Sequence, residues 1–182
     1  MPASSWAAPP LEGRRVILTG ATGGIGRQVA LRCAAQGAVV GLGHRAGPGH
    51  EAAVTRALAL QQEILALGGP APLPLVLDVT QPAQIEQALA RFVAHAGGVD
   101  GWINNAGVNR PGLLVSAELA DIEEQLRTNL LGPILCARAV LPVLLRARGG
   151  VILNIGSVAA DRPYRGQAAY AASKGGVAAL TR

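Results

Sequence analysis

From Arg15 onward the chain alternates short apolar runs with longer stretches in which apolar residues recur every three or four positions. The short runs, at 16–18, 39–42, 75–77, 101–103 and 151–155, are rich in Val, Ile and Leu and end at Gly, Asn, Asp or Thr, which predicts β-strands. The longer stretches predict helices over about 25–36, 50–67, 82–95, 119–148 and from 168 to the end. Strand and helix in regular succession form right-handed βαβ units. The expected fold is therefore a doubly wound, Rossmann-type α/β domain with a parallel sheet and helices on both faces. There is no internal repeat. Residues 1–10, rich in Pro and Ala and without a period, are expected to be a flexible tail with Trp6 loosely held, and 11–182 a single domain. Within 119–148 the strip Leu126, Leu130, Ile134, Ala137, Leu141 repeats at three- and four-residue spacing. That fits one buried helix face, explained equally by core packing or by a subunit contact.

The chain has 182 residues, half of them hydrophobic, enough for one substantial core. The apolar runs fall short of a membrane span, and no charged start followed by an apolar block marks a signal peptide, so a soluble cytoplasmic protein is expected. Cys33 and Cys136 lack a CxxC partner and fall in apolar helical patterns, as buried free thiols do. His44, His50 and His95 have no metal-ligand spacing, so no metal site is expected. The net charge of +5 is carried by scattered arginines, which disfavours nucleic acid and suits an anionic ligand or an acidic partner.

The glycine-rich turn Thr19-Gly20-Ala21-Thr22-Gly23-Gly24-Ile25-Gly26 follows the first predicted strand and opens a helix. Glycines there let the backbone bend sharply and approach a pyrophosphate, whose charge the helix N-terminus stabilises. The spacing Gly-x-x-x-Gly-x-Gly differs from the Gly-x-Gly-x-x-Gly fingerprint, but its position favours dinucleotide binding through Gly20, Thr22, Gly23, Gly24, Ile25 and Gly26. At the end of the second strand, an acidic residue would accept from a free ribose 2′-hydroxyl and select NAD. His44 and Arg45 stand there instead, and a guanidinium pairs with a 2′-phosphate through two parallel hydrogen bonds, so NADP(H) is preferred over NAD(H). Asp78 and Val79 follow the third strand. The carboxylate either accepts from an adenine amino group or shapes a turn in which Thr80 caps the next helix. Asn104-Asn105-Ala106-Gly107 ends the fourth strand, as suits a crevice where backbone approaches a ligand, or simply an Asn-Gly type of turn.

Lys174 is the only lysine, and it stands four residues after Tyr170, one of two tyrosines. On a helix the two share a face. A nearby cation favours the phenolate and draws a tyrosine down from about 10, which would make Tyr170 a usable acid and base. Ser157 follows the fifth strand and stands where α/β proteins bind ligands, either as a hydrogen-bond donor to a carbonyl or as a turn or cap residue.

Taken in order, Thr19-Gly-x-x-x-Gly-x-Gly26, Asp78, Asn104-Asn105-Ala106-Gly107, Asn129, Ser157 and Tyr170-x-x-x-Lys174 resemble the short-chain dehydrogenase/reductase family over about 11–182. Asn109-Arg110-x-x-Leu113-Leu114 and Gly166-Gln167-x-x-Tyr170-x-Ala172-Ser173-Lys174 look most like its 3-oxoacyl-[acyl-carrier-protein] reductases. The resemblance implies a catalytic tetrad of Asn129, Ser157, Tyr170 and Lys174. In it Asn129 would hold a water that links Lys174 to solvent, and Tyr170 and Lys174 would also meet the cofactor. It implies cofactor contacts at Asn105, Ala106 and Gly107, and a homotetramer built partly from the helices at 119–148 and from 168. The substrate would be a ketone, on an acyl carrier protein or as a small molecule. Arginines 110, 127, 138, 146, 148, 162 and 165 are available to an acidic carrier. The alternatives are a family member acting on a polyketide, steroid or sugar-like substrate, and a catalytically silent nucleotide-binding remnant. Family members continue past the Tyr-x-x-x-Lys helix, so a chain ending at Arg182 is expected to be a fragment, cut where that helix has just begun. Were it complete, the fifth strand would be an open apolar edge, with weak catalysis and poor solubility.

Overall fold

The computed structural model describes residues 11–47 and 49–182; the expected tail at 1–10 lies outside them. Five strands, β1 (Arg15–Leu18), β2 (Val39–His44), β3 (Leu73–Val76), β4 (Gly101–Asn104) and β5 (Val151–Asn154), pair in parallel in the order β3-β2-β1-β4-β5. The chain runs outward from β1 to β3, crosses back, and continues from β4 to β5. The strand order therefore reverses between β1 and β4, and a crevice opens at the carboxyl ends of that pair. Six helices, α1 (Gly24–Ala35), α2 (Glu51–Ala66), α3 (Pro82–Ala96), α4 (Leu119–Leu126), α5 (Gly132–Arg146) and α6 (Ala168–Thr181), connect or follow the strands. The predicted elements are all present, with boundaries shifted by one or two residues.

Alternation along β1 separates two cores. Ile17 packs with Leu75, Trp102, Phe92 of α3 and Cys136, Val140 and Leu144 of α5. Val16 and Leu18 pack on the other face with Val40, Leu42, Ala30 and Ala34 of α1, and Leu60 and Ile64 of α2. Both thiols are free, Cys136 buried and Cys33 partly so, and burial pushes the Cys136 thiol up to about 12. β5 is an edge strand. Its Ile152 joins the α3 and α5 side, while Val151 and Leu153, on the opposite face, are 63% and 45% exposed.

One predicted helix is interrupted. Between α4 and α5 the residues Arg127–Leu131 form a π turn, in which the Gly132 amide donates to the Arg127 carbonyl. Pro133 has no N–H, so the Asn129 carbonyl loses its ordinary i+4 donor. The strip Leu126, Leu130, Ile134, Ala137, Leu141 is consequently not the buried face. Leu126, Ile134 and Leu141 are exposed, and Leu130 lies against Gly176 of α6. Contact with α3 and the sheet instead selects Cys136, Val140 and Leu144, about a quarter turn away. Taken together, Leu119–Arg146 is 28 residues with a mean hydropathy of 1.6 in its most apolar window, long and apolar enough to cross a membrane. Its inner face is nevertheless part of the α3 core, as in a helix packed inside a globular fold.

Entry to the crevice strands is fixed by Arg15, whose Nε and Nη2 donate to the two oxygens of Asp100 at 2.8 Å each, with the Arg15 amide adding a third bond at 2.9 Å. These hydrogen bonds hold the Asp100 carboxyl below its ordinary 3.8. A depressed folded value means that the stabilisation is complete above about pH 4 and is lost as the pH falls through that folded value. Asp100→Asn should lower the unfolding free energy by about 1–2 kcal/mol at pH 7 and flatten the decline in stability below pH 4. Urea unfolding across pH checks both, and an unchanged midpoint at pH 7 would contradict the assignment.

Candidate active site

The crevice is closed at its base by hydrogen bonds between β1 and the end of β4. The Thr19 hydroxyl donates to the Ile103 carbonyl at 3.3 Å and accepts from the amides of Asn105 and Ala106 at 3.0 Å each. The Asn105 amide group donates to the carbonyls of Thr19 and Gly20, both at 3.0 Å. Gly20 has φ of 64° and a Cβ there would lie 2.9 Å from the Ala106 Cα, so both backbone conformation and space require glycine. A Cβ at Gly26 would strike the Gly20 carbonyl and lie 2.7 Å from the Asn105 amide nitrogen. Asn105 thus presses the glycine turn flat against the sheet end. No side chain caps α1, whose first residue Gly24 faces open space, and its leading N–H groups are left for an anion.

Above this base lies a cavity of about 550 Å³. The turn residues Gly20, Thr22, Gly23, Gly24, Ile25 and Gly26 line it, with His44 and Arg45, Asp78 and Val79, and Asn105, Ala106 and Gly107. Every cofactor-contact position expected outside the tetrad is therefore on one cavity wall. His44 is buried, and its Nδ1–H donates to the Arg45 carbonyl at 3.0 Å. Arg45 is exposed. Asp78 shapes the turn, its Oδ1 accepting from the Thr80 amide and hydroxyl at 2.9 and 2.8 Å, and it lines the cavity; Thr80 does not cap α3, whose N-cap is Gln81 with no side-chain cap bond. The structure adds His50, Ala53 and Arg56 of α2 and its approach. Their three-residue spacing was visible in the sequence, but nothing there placed this face of α2 over the crevice.

None of the four positions expected to form a tetrad lines the cavity, although Asn129 lies against Gly107 of its wall. Lys174 is buried, its Nζ donates to the Ile155 carbonyl at 2.7 Å, and it lies 5.9 Å from the centroid of the Tyr170 ring. Burial pulls the Lys174 ammonium below its ordinary value. Asn129 is fully buried in the π turn. Its side chain accepts from the Val108 amide and donates to the Val108 carbonyl, both at 2.8 Å, and donates to the Ser173 hydroxyl at 3.2 Å. Ser173 donates in turn to the Tyr170 carbonyl at 2.6 Å. One network therefore joins Asn129 to the backbone of the Tyr170 helix. Ser157 makes the cap contact: its hydroxyl oxygen accepts from the Ala159 amide at 3.1 Å, which leaves the hydroxyl proton free.

Gln125 escaped the sequence analysis. It is 2% exposed, accepts from the Arg110 amide at 3.1 Å, and donates to the Asp121 and Arg110 carbonyls at 3.1 and 3.4 Å. Gln125 and Asn129, one helical turn apart, thus pair with Arg110 and Val108 of the loop after β4 much as a neighbouring strand would. The same loop reaches the start of α6 through the Gly112 amide and the Gly166 carbonyl, 2.9 Å apart. The signal available in the sequence was two amides four residues apart, on one face of a predicted helix.

The sequence profile of the short chain dehydrogenase family matches residues 14–182. The chain belongs to the short-chain dehydrogenases. It is 34% identical over 172 residues to 3-oxoacyl-[acyl-carrier-protein] reductase FabG of Thermotoga maritima, covering 94% of this chain and 67% of that protein. The corresponding reductase of Escherichia coli K12 is 35% identical over 171 residues, with 94% and 66% covered. A human 3-oxoacyl-[acyl-carrier-protein] reductase is 37% identical over 105 residues, with 58% and 44% covered. This short-chain dehydrogenase thus spans about two thirds of the length of the bacterial relatives.

The two amide side chains should act as a unit. Asn129→Ala and Gln125→Leu should each destabilise the short-chain dehydrogenase by about 1–3 kcal/mol, because each leaves backbone groups unpaired. The double variant should lose at least about 0.5 kcal/mol less than the sum. Strict additivity in a denaturant-unfolding cycle would show that the loop is held at two independent points.

Proposed function

We propose that the chain is the cofactor-binding and proton-delivering part of an NADPH-dependent reductase that converts a ketone to a secondary alcohol. The observation that carries this reading is that Asn129 is hydrogen-bonded through Ser173 to the Tyr170 backbone while Lys174, held by the Ile155 carbonyl, lies 5.9 Å from the Tyr170 ring, on the helix that packs next to the loop bordering the glycine-turn cavity. When bound in that cavity, the nicotinamide supplies the hydride to the carbonyl carbon. The Tyr170 hydroxyl donates its proton to the developing alkoxide. Lys174, held by the Ile155 carbonyl, favours the phenolate that remains, and its burial makes it a readier proton donor than an exposed lysine. The free hydroxyl proton of Ser157 orients the substrate oxygen. The Asn129 carbonyl, relieved of a helical donor by Pro133, accepts from a water that returns protons to Lys174.

Arg45, exposed at the end of β2 with no acidic residue beside it on that strand, supports NADPH over NADH. The named relatives support a 3-oxoacyl thioester, on an acyl carrier protein, as the substrate. Among the arginines available to an acidic carrier, Arg110 is already paired with Glu124 at 2.9 Å, which leaves the exposed 127, 138, 146, 148, 162 and 165 for that role. The exposed Leu126, Ile134 and Leu141 support a contact between copies, as in a homotetramer. A cytoplasmic setting fits this substrate.

Tyr170→Phe should reduce turnover of an acetoacetyl thioester by about 10² to 10⁴-fold and leave NADPH affinity within about twofold of the parent. NADPH oxidation with the thioester and with a panel of simple ketones measures this and separates carrier substrates from other ketones. Equal turnover by the phenylalanine variant would contradict the proton-donor assignment.

A further inference from the structure

We infer that Arg56 of α2 acts with Arg45 as a two-guanidinium clamp for a phosphate monoester on the adenosine ribose. On this account α2, not the glycine turn, supplies the second cation of the cofactor site. The inference rests on the nucleotide reading above and deepens it. The turn from Thr19 to Gly26 carries no basic residue. The first one after it, Arg27, is committed to Glu63, with Nη2 at 2.6 and 2.7 Å from the two carboxylate oxygens. Arg15 and Arg110 are likewise taken, by Asp100 and Glu124.

Arg45 and Arg56 differ. Both line the cavity, both are exposed, and neither forms an ion pair among the described residues. His50 and Ala53 line the same cavity, so the face of α2 leading to Arg56 is turned towards it. The sole carboxylate on the cavity wall is Asp78, and its Oδ1 is engaged by Thr80. Two uncompensated guanidiniums lining one nucleotide-sized cavity call for a ligand with close to two negative charges. A phosphate monoester carries about −1.5 to −2 at neutral pH and accepts from guanidinium forks. A free ribose hydroxyl at the same place would leave both cations unpartnered.

Isothermal titration of the intact chain with adenosine 2′,5′-bisphosphate and with 5′-AMP tests the clamp without any catalytic step. The parent should bind the bisphosphate at least tenfold more tightly than 5′-AMP. Arg56→Gln should remove about tenfold of that preference and leave 5′-AMP affinity unchanged, while Arg56→Lys retains part of it; both substitutions are at an exposed side chain. Arg45→Gln should behave like Arg56→Gln. An Arg56→Gln protein with the parent's preference would overturn the assignment of Arg56 and leave the nucleotide site standing. A parent that binds both nucleotides equally would overturn the clamp. A parent that binds neither would overturn the nucleotide reading on which the clamp rests.

Discussion

The Thr19 hydroxyl uses its whole hydrogen-bonding capacity on the end of β4, donating to Ile103 and accepting from Asn105 and Ala106. Asn105 answers by donating to the carbonyls of Thr19 and Gly20. These bonds lie where the strand order reverses, and they set the height of the glycine turn above the sheet. A larger residue at Gly20 or Gly26 would push the turn away from Asn105 and Ala106 and fill the cavity floor. The position of the α1 N-terminus, and with it any anion bound there, follows from this seam.

The preceding asparagine ties the other side. Successive residues of a strand point to opposite faces, so while Asn105 serves β1, Asn104 accepts from the Trp102 indole at 2.9 Å and donates to Asn154 of β5 at 2.8 Å. Asn154 donates to Thr181 near the end of α6 at 3.0 Å. The helix that carries Tyr170 and Lys174 is thus fastened at its far end through the asparagine ladder and at its start through Gly112 and Gly166. Between those points Ser173 and Asn129 fix its depth, and Lys174 reaches the Ile155 carbonyl just beyond β5. The glycine-turn cavity and the helix of Tyr170 and Lys174 share β4 as their common support, which is how a short polar stretch sets the relation between them.

Much of this was legible in the sequence because the signals are local. A parallel strand buried on both faces reads as an apolar run, a turn that needs glycine contains glycine, and a lone lysine four residues after a tyrosine is conspicuous. The π turn was not legible, since residues 119–148 keep a helical period on either side of it and only Pro133 hints at the missing donor. The apolar strip in 119–148 stayed open between core and subunit contact for a related reason: periodicity finds an apolar stripe but does not say whether the sheet meets that stripe or one a quarter turn away. Arg56 and Gln125 depend on tertiary placement. Arg56 matters because α2 leans over the crevice, and Gln125 because a distant loop offers it two backbone groups. Ser157 could be read as a cap or as a donor, and its geometry, with the oxygen accepting and the proton free, accommodates both.

The central claim is that the β1–β4 seam creates a nucleotide cavity at the glycine turn. Residue-resolved amide hydrogen exchange with and without NADPH tests it most directly. Slower exchange centred on Ala21–Arg27 and Asn105–Val108, with protection also at the cavity-lining segments around Arg45, Arg56 and Asp78 and little change on the outer faces of α3 and α5, is the predicted result. Binding of NADPH with unchanged exchange across those two segments, or with protection centred on the groove between Ile85 of α3 and Leu135 of α5, would contradict it.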